Sequence, residues 1–447
     1  MAVTGWFVLL VALGAVPVIA LDGAVEAGSV FVAWMVVCAL LALLDLALAA
    51  SPRAVGLARS TADRVRLTES AAATLYVTNP GRRKLRGIIR DAWEPSAGAR
   101  PARQTLDVPA GERRAVTTTL TPWRRGERRS AAVTIRALGP LRLAGRQASI
   151  LVPGTITVLP EFASRKHLPS RLARLRELDG RTSVMVRGQG TEFDSLREYV
   201  RGDDVRSIDW RATARRGGEP GGAGAAGPAQ TLMVRTWRPE RDRRVIVIVD
   251  SGRTAAARIA NETRLDTAFE STLLLSALAD RAGDRVDVAI FDRRVRGRVQ
   301  DSRGADLLAK LTETMAPIDP ELLETDWSGV PALVRSMTAQ RSLVVIATPL
   351  ESPGSTRSLL AMLPQLTRTH LVLIAAVTDP ELIAATRDRG DRPAVYRAAA
   401  AERALLDAER VAAAVTRLGG DVVSAAPLDL PPAVSDCYLA YKAAGRL

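Results

Sequence analysis

Histidine, cysteine and lysine are scarce in this chain of 447 residues. The two cysteines, Cys38 and Cys437, lie too far apart in sequence to predict a disulfide framework or a cysteine zinc site. Two histidines, His167 and His370, are too few for a histidine metal cluster, and they disfavour a hydrolase of the Ser-His-Asp type. Aromatic residues make up only 4% of the chain. Fold and function must therefore be inferred from the distribution of the apolar and charged residues.

The length predicts two or three domains, and 47% hydrophobic with 25% charged residues is typical of folded domains rather than of disorder. Only four of the 62 basic residues are lysine, so arginine supplies nearly all of the positive charge behind the net charge of +14. Residues 51–160 hold 20 basic and 7 acidic residues, which accounts for nearly all of the excess. This segment is the basic part of the molecule.

Two apolar runs open the chain, residues 5–21 and residues 30–50. At 1.5 Å per residue, each approaches the roughly 30 Å of a bilayer core, so we expect a transmembrane hairpin over residues 1–50. The loop between the runs holds Asp22 and Glu26 but no basic residue, whereas arginines follow from Arg53 to Arg66. The positive-inside rule then predicts a multi-pass plasma membrane protein with cytoplasmic soluble domains. A cleaved signal peptide is disfavoured because the first six residues lack Lys and Arg. For Asp45, we favour interfacial solvation over an intramembrane function.

Residues 51–160 change to short alternating stretches at residues 74–77, 115–120 and 132–135, separated by turn signals at residues 79–81, 109–111 and 139–140. This spacing predicts a β-sandwich. Its arginines either face anionic lipid headgroups, at about 1 kcal/mol each, or form a solvated surface without a specific partner. Both interpretations stay open. Nucleic-acid binding is disfavoured because aromatic residues that would stack on bases are scarce.

Residues 161–243 are dense in charge, with a Gly-rich stretch at residues 217–230 that predicts a mobile loop. The sequence Gly202-Asp203-Asp204 is a turn and helix-capping signal. Clustered carboxylates offer an alternative function, a membrane-tethered hydrolase of the two-metal type. The interleaved arginines would neutralise such a cluster, so we disfavour this alternative. The carboxylates concerned are Glu192, Asp194, Asp203, Asp204 and Asp209.

One segment of this region, from Gly190 to Arg215, resembles the signature G-x-E-F-x-x-L-R-x-Y-x-x-G-D-D-x-R-x-I-D-W-x-x-x-A-R of the family of domain of unknown function 58. The resemblance implies a membrane-anchored protein with a von Willebrand factor A-like domain, associated with a MoxR-type AAA+ ATPase. The signature residues that we expect to serve structure or interaction are Glu192, Phe193, Arg197, Tyr199, Gly202, Asp203, Asp204, Arg206, Asp209, Trp210 and Arg215.

Residues 244–447 independently predict an α/β fold. Apolar strands are expected at residues 245–249, 286–291, 342–347, 371–377 and 421–423, with helices at residues 264–281, 305–314, 356–366 and 401–418. Alternating strands and helices predict a doubly wound parallel sheet, and residues 294–299 suit an antiparallel edge strand. Ligands of such sheets bind at the carboxyl ends of the strands, which is where Asp250 lies.

The resemblance to von Willebrand factor A domains implies a Mg²⁺ site there, built from D-x-S-x-S, a threonine of a later loop and an aspartate after the fourth strand. This chain has Gly252 at the middle serine and Pro349 near the aspartate position, so only Asp250 and Thr254 remain as ligands. Because Mg²⁺ requires several oxygen ligands, we expect a degenerate site, no metal and no other cofactor.

The sequence thus predicts a multidomain, non-enzymatic scaffold: a transmembrane hairpin (1–50), a basic β-sandwich (51–160), a signature segment (161–243) and a von Willebrand factor A-like domain (244–447). The chain has no phosphate-binding G-x-x-x-x-G-K-[ST] loop. The expected partners are a MoxR-type AAA+ ATPase, membrane lipid and other membrane proteins, but not nucleic acid. Within the signature, we expect Asp209 and Trp210 to be buried as a clamp on the α/β domain, and Arg197 and Asp203 to face the partner.

Overall fold

The computed structural model describes residues 2–21, 23–185, 192–200, 205, 208–216, 232–238, 243–260 and 262–447. These residues form two compact units. The first, here the β unit, comprises residues 1–161 together with residues 312–319. The second, here the α/β unit, comprises residues 162–311 and 320–447. The predicted Gly-rich loop at residues 217–230 lies outside the described residues.

The β unit opens with strand β1 (Ala2–Val3) and three apolar helices, α1 (Gly5–Ala12), α2 (Ala15–Ala20) and α3 (Ala27–Leu48). Among the described residues, one candidate span is long and apolar enough to cross a membrane; it covers residues 27–54 and begins with α3. The first apolar run is two short helices rather than one. The break lies at Gly14, where an added Cβ would be 2.3 Å from the ring of Trp34. The indole N–H of Trp34 donates to the carbonyl of Leu10 at 3.1 Å. In a continuous helix, this carbonyl would accept a backbone N–H of the next turn instead.

Eight strands follow in the β unit. They are β2 (Gly56–Thr61), β3 (Arg64–Arg66), β4 (Ala71–Thr78), β5 (Leu85–Trp93), β6 (Gln104–Val108), β7 (Arg113–Leu120), β8 (Gly126–Leu138) and β9 (Ala144–Leu159). One sheet has the order β1-β9-β8-β5-β6, with β3 paired in parallel to β9, and the other has the antiparallel order β2-β4-β7. The alternating stretches at residues 74–77, 115–120 and 132–135 fall within β4, β7 and β8.

One hydrophobic cluster joins the two sheets of the β unit. It combines Leu75 of β4 and Val116 of β7 with Ile89 of β5 and Ile135 of β8. The alternation of buried and exposed residues along β4 and β8 produces this cluster, because successive side chains of a strand point to opposite faces. A second cluster, which includes Leu120 of β7 and Ile156 of β9, also combines residues of the two sheets.

The end of α3 is fastened to the turn between β8 and β9. Asp45 is fully buried, and its carboxylate accepts hydrogen bonds from the backbone N–H groups of Leu141 (2.7 Å), Leu143 (2.8 Å) and Ala144 (2.9 Å). The interfacial solvation expected for Asp45 is therefore wrong, because three backbone donors take the place of water. Thr4, next to β1, also donates its hydroxyl to the carbonyls of this turn.

The α/β unit begins with helix α4 (Leu168–Met185), the antiparallel strands β10 (Glu192–Glu198) and β11 (Met233–Arg238), and the short helix α5 (Trp210–Arg216). The remaining strands are β12 (Arg244–Asp250), β13 (Arg258–Ile259), β14 (Glu262–Thr263), β15 (Arg285–Phe291), β16 (Val295–Val299), β17 (Leu343–Ala347), β18 (Leu371–Val377) and β19 (Asp421–Ala425). The remaining helices are α6 (Arg264–Arg281), α7 (Gly304–Met315, of which residues 312–315 belong to the β unit), α8 (Val330–Met337), α9 (Arg357–Thr367), α10 (Pro380–Ala385), α11 (Arg392–Arg417) and α12 (Leu430–Ala443).

The main sheet of the α/β unit has the order β16-β15-β12-β17-β18-β19. All neighbours are parallel except β16, which runs antiparallel to β15. This confirms the predicted edge strand at residues 294–299 and the predicted doubly wound sheet. The central strand β12 has six consecutive buried residues, as expected for a strand covered on both faces. Its carboxyl end, at Asp250, lies in the middle of the sheet edge.

Candidate functional site

Asp250 is the last residue of β12, and its side chain is buried at the carboxyl edge of the parallel sheet. Three loops bring hydroxyl groups to its carboxylate. Thr254 follows β12, Thr325 lies between α7 and α8, and Thr348 comes directly after β17. Neighbouring parallel strands end at the same edge, which is why residues distant in sequence converge here.

Both carboxylate oxygens of Asp250 are occupied by donors from the chain itself. Oδ1 accepts from the hydroxyl of Thr325 and from the backbone N–H of Gly252 at 2.9 Å. Oδ2 accepts from the hydroxyl of Thr348 at 2.7 Å and from that of Thr254 at 3.3 Å. We call these four residues, Asp250, Thr254, Thr325 and Thr348, the hydroxyl hub. The hub ties three loops to the end of the central strand.

The groups that donate hydrogen bonds to the Asp250 carboxylate are all uncharged: three hydroxyls and one backbone N–H. Burial raises the pKa of Asp250, and the hydrogen bonds from Thr325, Gly252, Thr348 and Thr254 oppose this shift without cancelling it. The neighbouring Ser251 turns away and donates to Asp292 at 3.3 Å. The carboxylate is therefore held by geometry rather than by an opposite charge.

Gly252 occupies the position where the von Willebrand factor A pattern has a serine. A Cβ built on Gly252 would lie 2.2 Å from the hydroxyl of Thr325 and 2.9 Å from the carbonyl of Leu323. A serine at this position therefore cannot coexist with the present place of Thr325. The hydroxyl of Thr325 fills the space that the serine side chain would need.

The donor set can be compared with the needs of a divalent cation. Mg²⁺ demands near-octahedral coordination by oxygens, usually including one or two carboxylates. The hydroxyl hub offers one carboxylate, already saturated by four hydrogen bonds, and three hydroxyls. Among the described residues, no group of three or more His, Cys, Asp or Glu side chains is arranged to hold a metal. The residues present do not fit a resident Mg²⁺ ion.

A loop at residues 320–325 covers one side of the hydroxyl hub. The backbone N–H of Glu321 donates to the carbonyl of Ser251 at 2.8 Å, and the N–H of Arg253 donates to the carbonyl of Leu323 at 2.8 Å. The Arg253 guanidinium donates twice to Glu324, at 2.9 and 2.7 Å. This loop is pinned at both ends, yet the side chain of Leu322 between them is 75% exposed.

The signature residues fall into two groups. Gly202, Asp203, Asp204 and Arg206 lie outside the described residues. Glu192, Phe193 and Arg197 are placed on β10, and Arg215 on α5, by their backbone. The backbone N–H of Tyr199 donates to the carbonyl of Leu232 at 2.8 Å, next to the pairing of β10 with β11. The partner-facing roles expected for Arg197 and Asp203 stay predictions.

Asp209 and Trp210 differ from the expected buried clamp. Asp209 begins α5: its carboxylate accepts hydrogen bonds from the backbone N–H groups of Arg211 and Ala212, both at 3.0 Å. This is a helix cap, which satisfies N–H groups that lack intrahelical partners. Trp210 is 65% exposed, so its prediction as a buried anchor is wrong. The cap places Trp210 at the first position of the helix with its indole toward solvent.

Two residues of the hydroxyl hub were not found from the sequence. Thr325 and Thr348 are separated from Asp250 by 75 and 98 positions, and isolated threonines in loops carry no periodic signal. For Thr348, its place immediately after the predicted strand at residues 342–347 could have served as a signal. For Thr325, the resemblance implied a threonine of a later loop without saying which one.

Comparison with solved structures gives similarities of low identity. The VWA domain of SpRpn10 is 12% identical, covering 44% of this chain and 93% of that domain, with a TM-score of 0.26. A beta-glucosidase from Listeria innocua is 16% identical, covering 23% of this chain and only 16% of its own, with a TM-score of 0.17. The CARDB domain of the PF1109 protein from Pyrococcus furiosus is 15% identical, covering 23% of this chain and 93% of that domain, with a TM-score of 0.16. These TM-scores are all below 0.5, and the fold assignment rests on the strand order and register given above.

The comparison with curated proteins found no match. A protein family model, described as protein of unknown function DUF58, matches residues 195–383. The matched range begins within the signature segment and includes all four residues of the hydroxyl hub. The resemblance to the family of domain of unknown function 58 is thereby confirmed over residues 195–383.

Proposed function

We propose that this protein is a membrane-anchored scaffold without catalytic activity of its own, which binds a MoxR-type AAA+ ATPase through the carboxyl edge of its α/β unit. The single observation that carries the proposal is the loop at residues 320–325, which is fixed to the hydroxyl hub and presents Leu322 to solvent. The ATPase as partner, and a role in assembling or activating envelope or client complexes, come from the family resemblance.

The carboxyl edge has the composition of a protein interface. Leu322 and the half-exposed Leu323 form an apolar centre, and the ion pair of Arg253 with Glu324 lies beside them. Interfaces typically place apolar anchors at the centre and paired polar groups at the rim. Since the loop is already held by hydrogen bonds, binding would cost little additional ordering entropy.

The hydroxyl hub serves as the support of this interface and not as a metal centre. Its saturated carboxylate supports an edge that works without Mg²⁺ or another cofactor. The signature residues Arg197 and Asp203 are proposed as a second part of the contact with the ATPase, because they are charged residues that the predicted core does not use.

The membrane arrangement is also part of the proposal. We infer that α1 and α2 together, and α3 separately, cross the plasma membrane as a hairpin, with the rest of the β unit and the α/β unit in the cytoplasm. The acidic loop between the helices and the arginines after α3 support this orientation. The two sheets that share one core support a β-sandwich beside the membrane, where arginines near the end of α3 face anionic headgroups.

The test measures binding of the full chain, held in nanodiscs, to a MoxR-type ATPase of the same organism by biolayer interferometry. Leu322→Glu should weaken binding at least tenfold, because a charge would replace the apolar anchor. Leu406→Glu is the matched control, since Leu406 is an exposed leucine of α11 outside the loop at residues 320–325. Both variants should keep the thermal melting of the wild type.

Equal ATPase binding by the wild type and by Leu322→Glu would reject the carboxyl edge as the interface. Loss of binding in Arg197→Ala and Asp203→Asn, together with normal binding by Leu322→Glu, would move the interface to the signature segment. Absence of binding by the wild-type chain would reject the ATPase as the partner.

A further inference from the structure

A cleft of about 630 Å³ lies within the β unit, at the ends of β5 and β8 that are far from α3. Two tryptophans and two arginines line it, Trp93 and Trp123 with Arg90 and Arg100. Its volume is in the range of sites that hold a small ligand or a few side chains. None of these residues belongs to the carboxyl edge of the α/β unit.

The floor of this cleft is rigid. Trp93 is buried, and its indole N–H donates to Asp91 at 2.8 Å. The guanidinium of Arg59 binds the same carboxylate with two hydrogen bonds, of 2.7 and 2.8 Å, and lies 5.1 Å from the centre of the Trp93 ring. Ser130 donates a further hydrogen bond to Asp91 at 2.8 Å. A floor fixed in this way loses no side-chain freedom when a ligand binds.

The rim of the cleft is held in place but open to solvent. The indole N–H of Trp123 donates to the carbonyl of Pro95 at 3.2 Å, and 61% of Trp123 stays exposed. An exposed tryptophan whose polar atom is already bonded offers its ring face to an incoming group.

The charges of the cleft are unbalanced. Within the part of the chain that the structure describes, Arg90 and Arg100 are exposed and have no ion pair. The carboxylates of the cleft do have partners: Asp91 pairs with Arg59, and Glu94 pairs with Arg128 at 3.3 Å. The cleft therefore presents two free guanidinium groups, which favour bidentate binding of carboxylates.

The position of the cleft argues against lipid headgroups as the ligand, an argument that rests on the proposed membrane anchoring through α3. The turn bound by Asp45 follows Leu138 at one end of β8, whereas Ser130, which contacts the cleft floor, lies toward the other end. At about 3.3 Å per residue, the stretch from Ser130 to Leu138 spans roughly 25 Å. This distance from the turn that holds the end of α3 exceeds the Debye length of about 8 Å at physiological ionic strength, beyond which headgroup charge is screened.

We propose that this cleft binds an acidic peptide segment of a cytoplasmic partner protein. An aromatic or apolar side chain of the peptide packs on Trp123, and two of its carboxylates pair with Arg90 and Arg100. A single-stranded nucleic acid would also stack on tryptophan, but it needs a basic groove that follows several phosphates, and the cleft contains Glu94. The juxtaposition of one open indole and two unpaired arginines fits a short acidic motif.

The experiment selects ligands with a library of random twelve-residue peptides displayed on phage. The target is the full chain in nanodiscs, with counter-selection against the double variant Arg90→Glu/Arg100→Glu. Selected peptides should be enriched in Glu or Asp beside an aromatic residue. Their Kd, measured by fluorescence anisotropy, should rise at least tenfold in the double variant and in Trp123→Ala. Arg82→Glu is the matched control, since Arg82 is an exposed arginine in the turn before β5, at the opposite end of that strand.

Three outcomes would overturn the proposal. The first is a selection that enriches no acidic peptides, and the second is equal affinity for the wild type and Trp123→Ala. The third is evidence for another class of ligand. A labelled oligothymidylate that binds through Arg90 and Arg100 would indicate nucleic acid, and loss of peptide binding in nanodiscs containing phosphatidylglycerol would indicate lipid headgroups. Leu322→Glu should leave peptide affinity unchanged, so failure of this proposal and failure of the ATPase interface are distinguishable.

Discussion

The two units bury a carboxylate in opposite ways. In the β unit, Asp91 lies against the guanidinium of Arg59, so the buried negative charge meets a positive one. In the α/β unit, Asp250 is surrounded by threonine hydroxyls and one backbone N–H, which satisfy its hydrogen bonds but leave its charge unbalanced. The first arrangement depends on an ion pair for stability, and the second uses a carboxylate as a tie between loops. Substitutions at the two sites should therefore behave differently.

The largest effect is expected when the ion pair is broken. Arg59→Met leaves Asp91 buried without its guanidinium, which should cost about 3 to 5 kcal/mol of stability. Hydrogen exchange of β5 and β8 in the full chain measures the loss locally. The double variant Arg59→Met/Asp91→Leu should recover only part of it, because no buried charge remains but the indole N–H of Trp93 and the hydroxyl of Ser130 lose their acceptor. Wild-type protection in the single variant would contradict the role given to this pair.

Asp45 tests whether backbone donors can replace a charged partner. Asp45→Ala leaves the N–H groups of Leu141, Leu143 and Ala144 without this acceptor, at a cost of about 3 kcal/mol. Amide exchange of residues 141–144 should accelerate accordingly. The exposed Leu44 of the same helix provides the control, and Leu44→Ala should leave this exchange unchanged. Similar exchange in the two variants would show that Asp45 does not hold the turn.

A smaller difference separates the two neighbours at the start of α5. Asp209→Ala removes the helix cap and should cost about 1 kcal/mol of local stability. Trp210→Ala removes a largely exposed ring and should change stability by no more than about 0.5 kcal/mol. Exchange of the α5 amides compares them directly. A larger loss of local stability for Trp210→Ala than for Asp209→Ala would support the buried clamp instead.

The unbalanced charge of Asp250 predicts a dependence on pH. Its pKa in the folded chain is raised above the unfolded value of about 3.9, so the unfolded chain ionises first as pH rises. Wild-type stability should therefore fall, relative to Asp250→Asn, as pH rises from about 4 toward neutrality. Thermal melting of both proteins across this range gives the sign. If the wild type instead became more stable relative to Asp250→Asn as the pH rises, a positive charge would have to balance Asp250.

No effect at all is expected from Mg²⁺. A site of micromolar affinity at millimolar metal would raise stability by about 4 kcal/mol, by simple mass action. Melting in Mg²⁺ and in chelator should coincide if the hydroxyl hub holds no ion. A stabilising shift that Asp250→Ala abolishes would show instead that the threonine hydroxyls give way to a metal.

The α/β sheet was predictable because its signals are local. The apolar residues 245–249 are a continuous strand signal, and α6 begins at a capping box formed by Thr263 and Asp266. The hydroxyl hub was not predictable, because Thr325 and Thr348 meet Asp250 only through the topology of the sheet. The partners of Asp45 are backbone groups, which have no signature in sequence. Trp210 was expected to be buried as part of the signature clamp, but the cap at Asp209 places it at the start of α5 with its indole toward solvent.

The attachment of α3 to the sheet has a mechanical consequence. Asp45 joins the last turns of the helix to the turn between β8 and β9, while β1 extends the same sheet through its pairing with β9. These hydrogen bonds couple the orientation of the helix to that of the sheet. If α3 crosses the bilayer as proposed, a tilt imposed on it by a thinner bilayer or by a neighbouring helix would be transmitted through these hydrogen bonds toward the far end of β8.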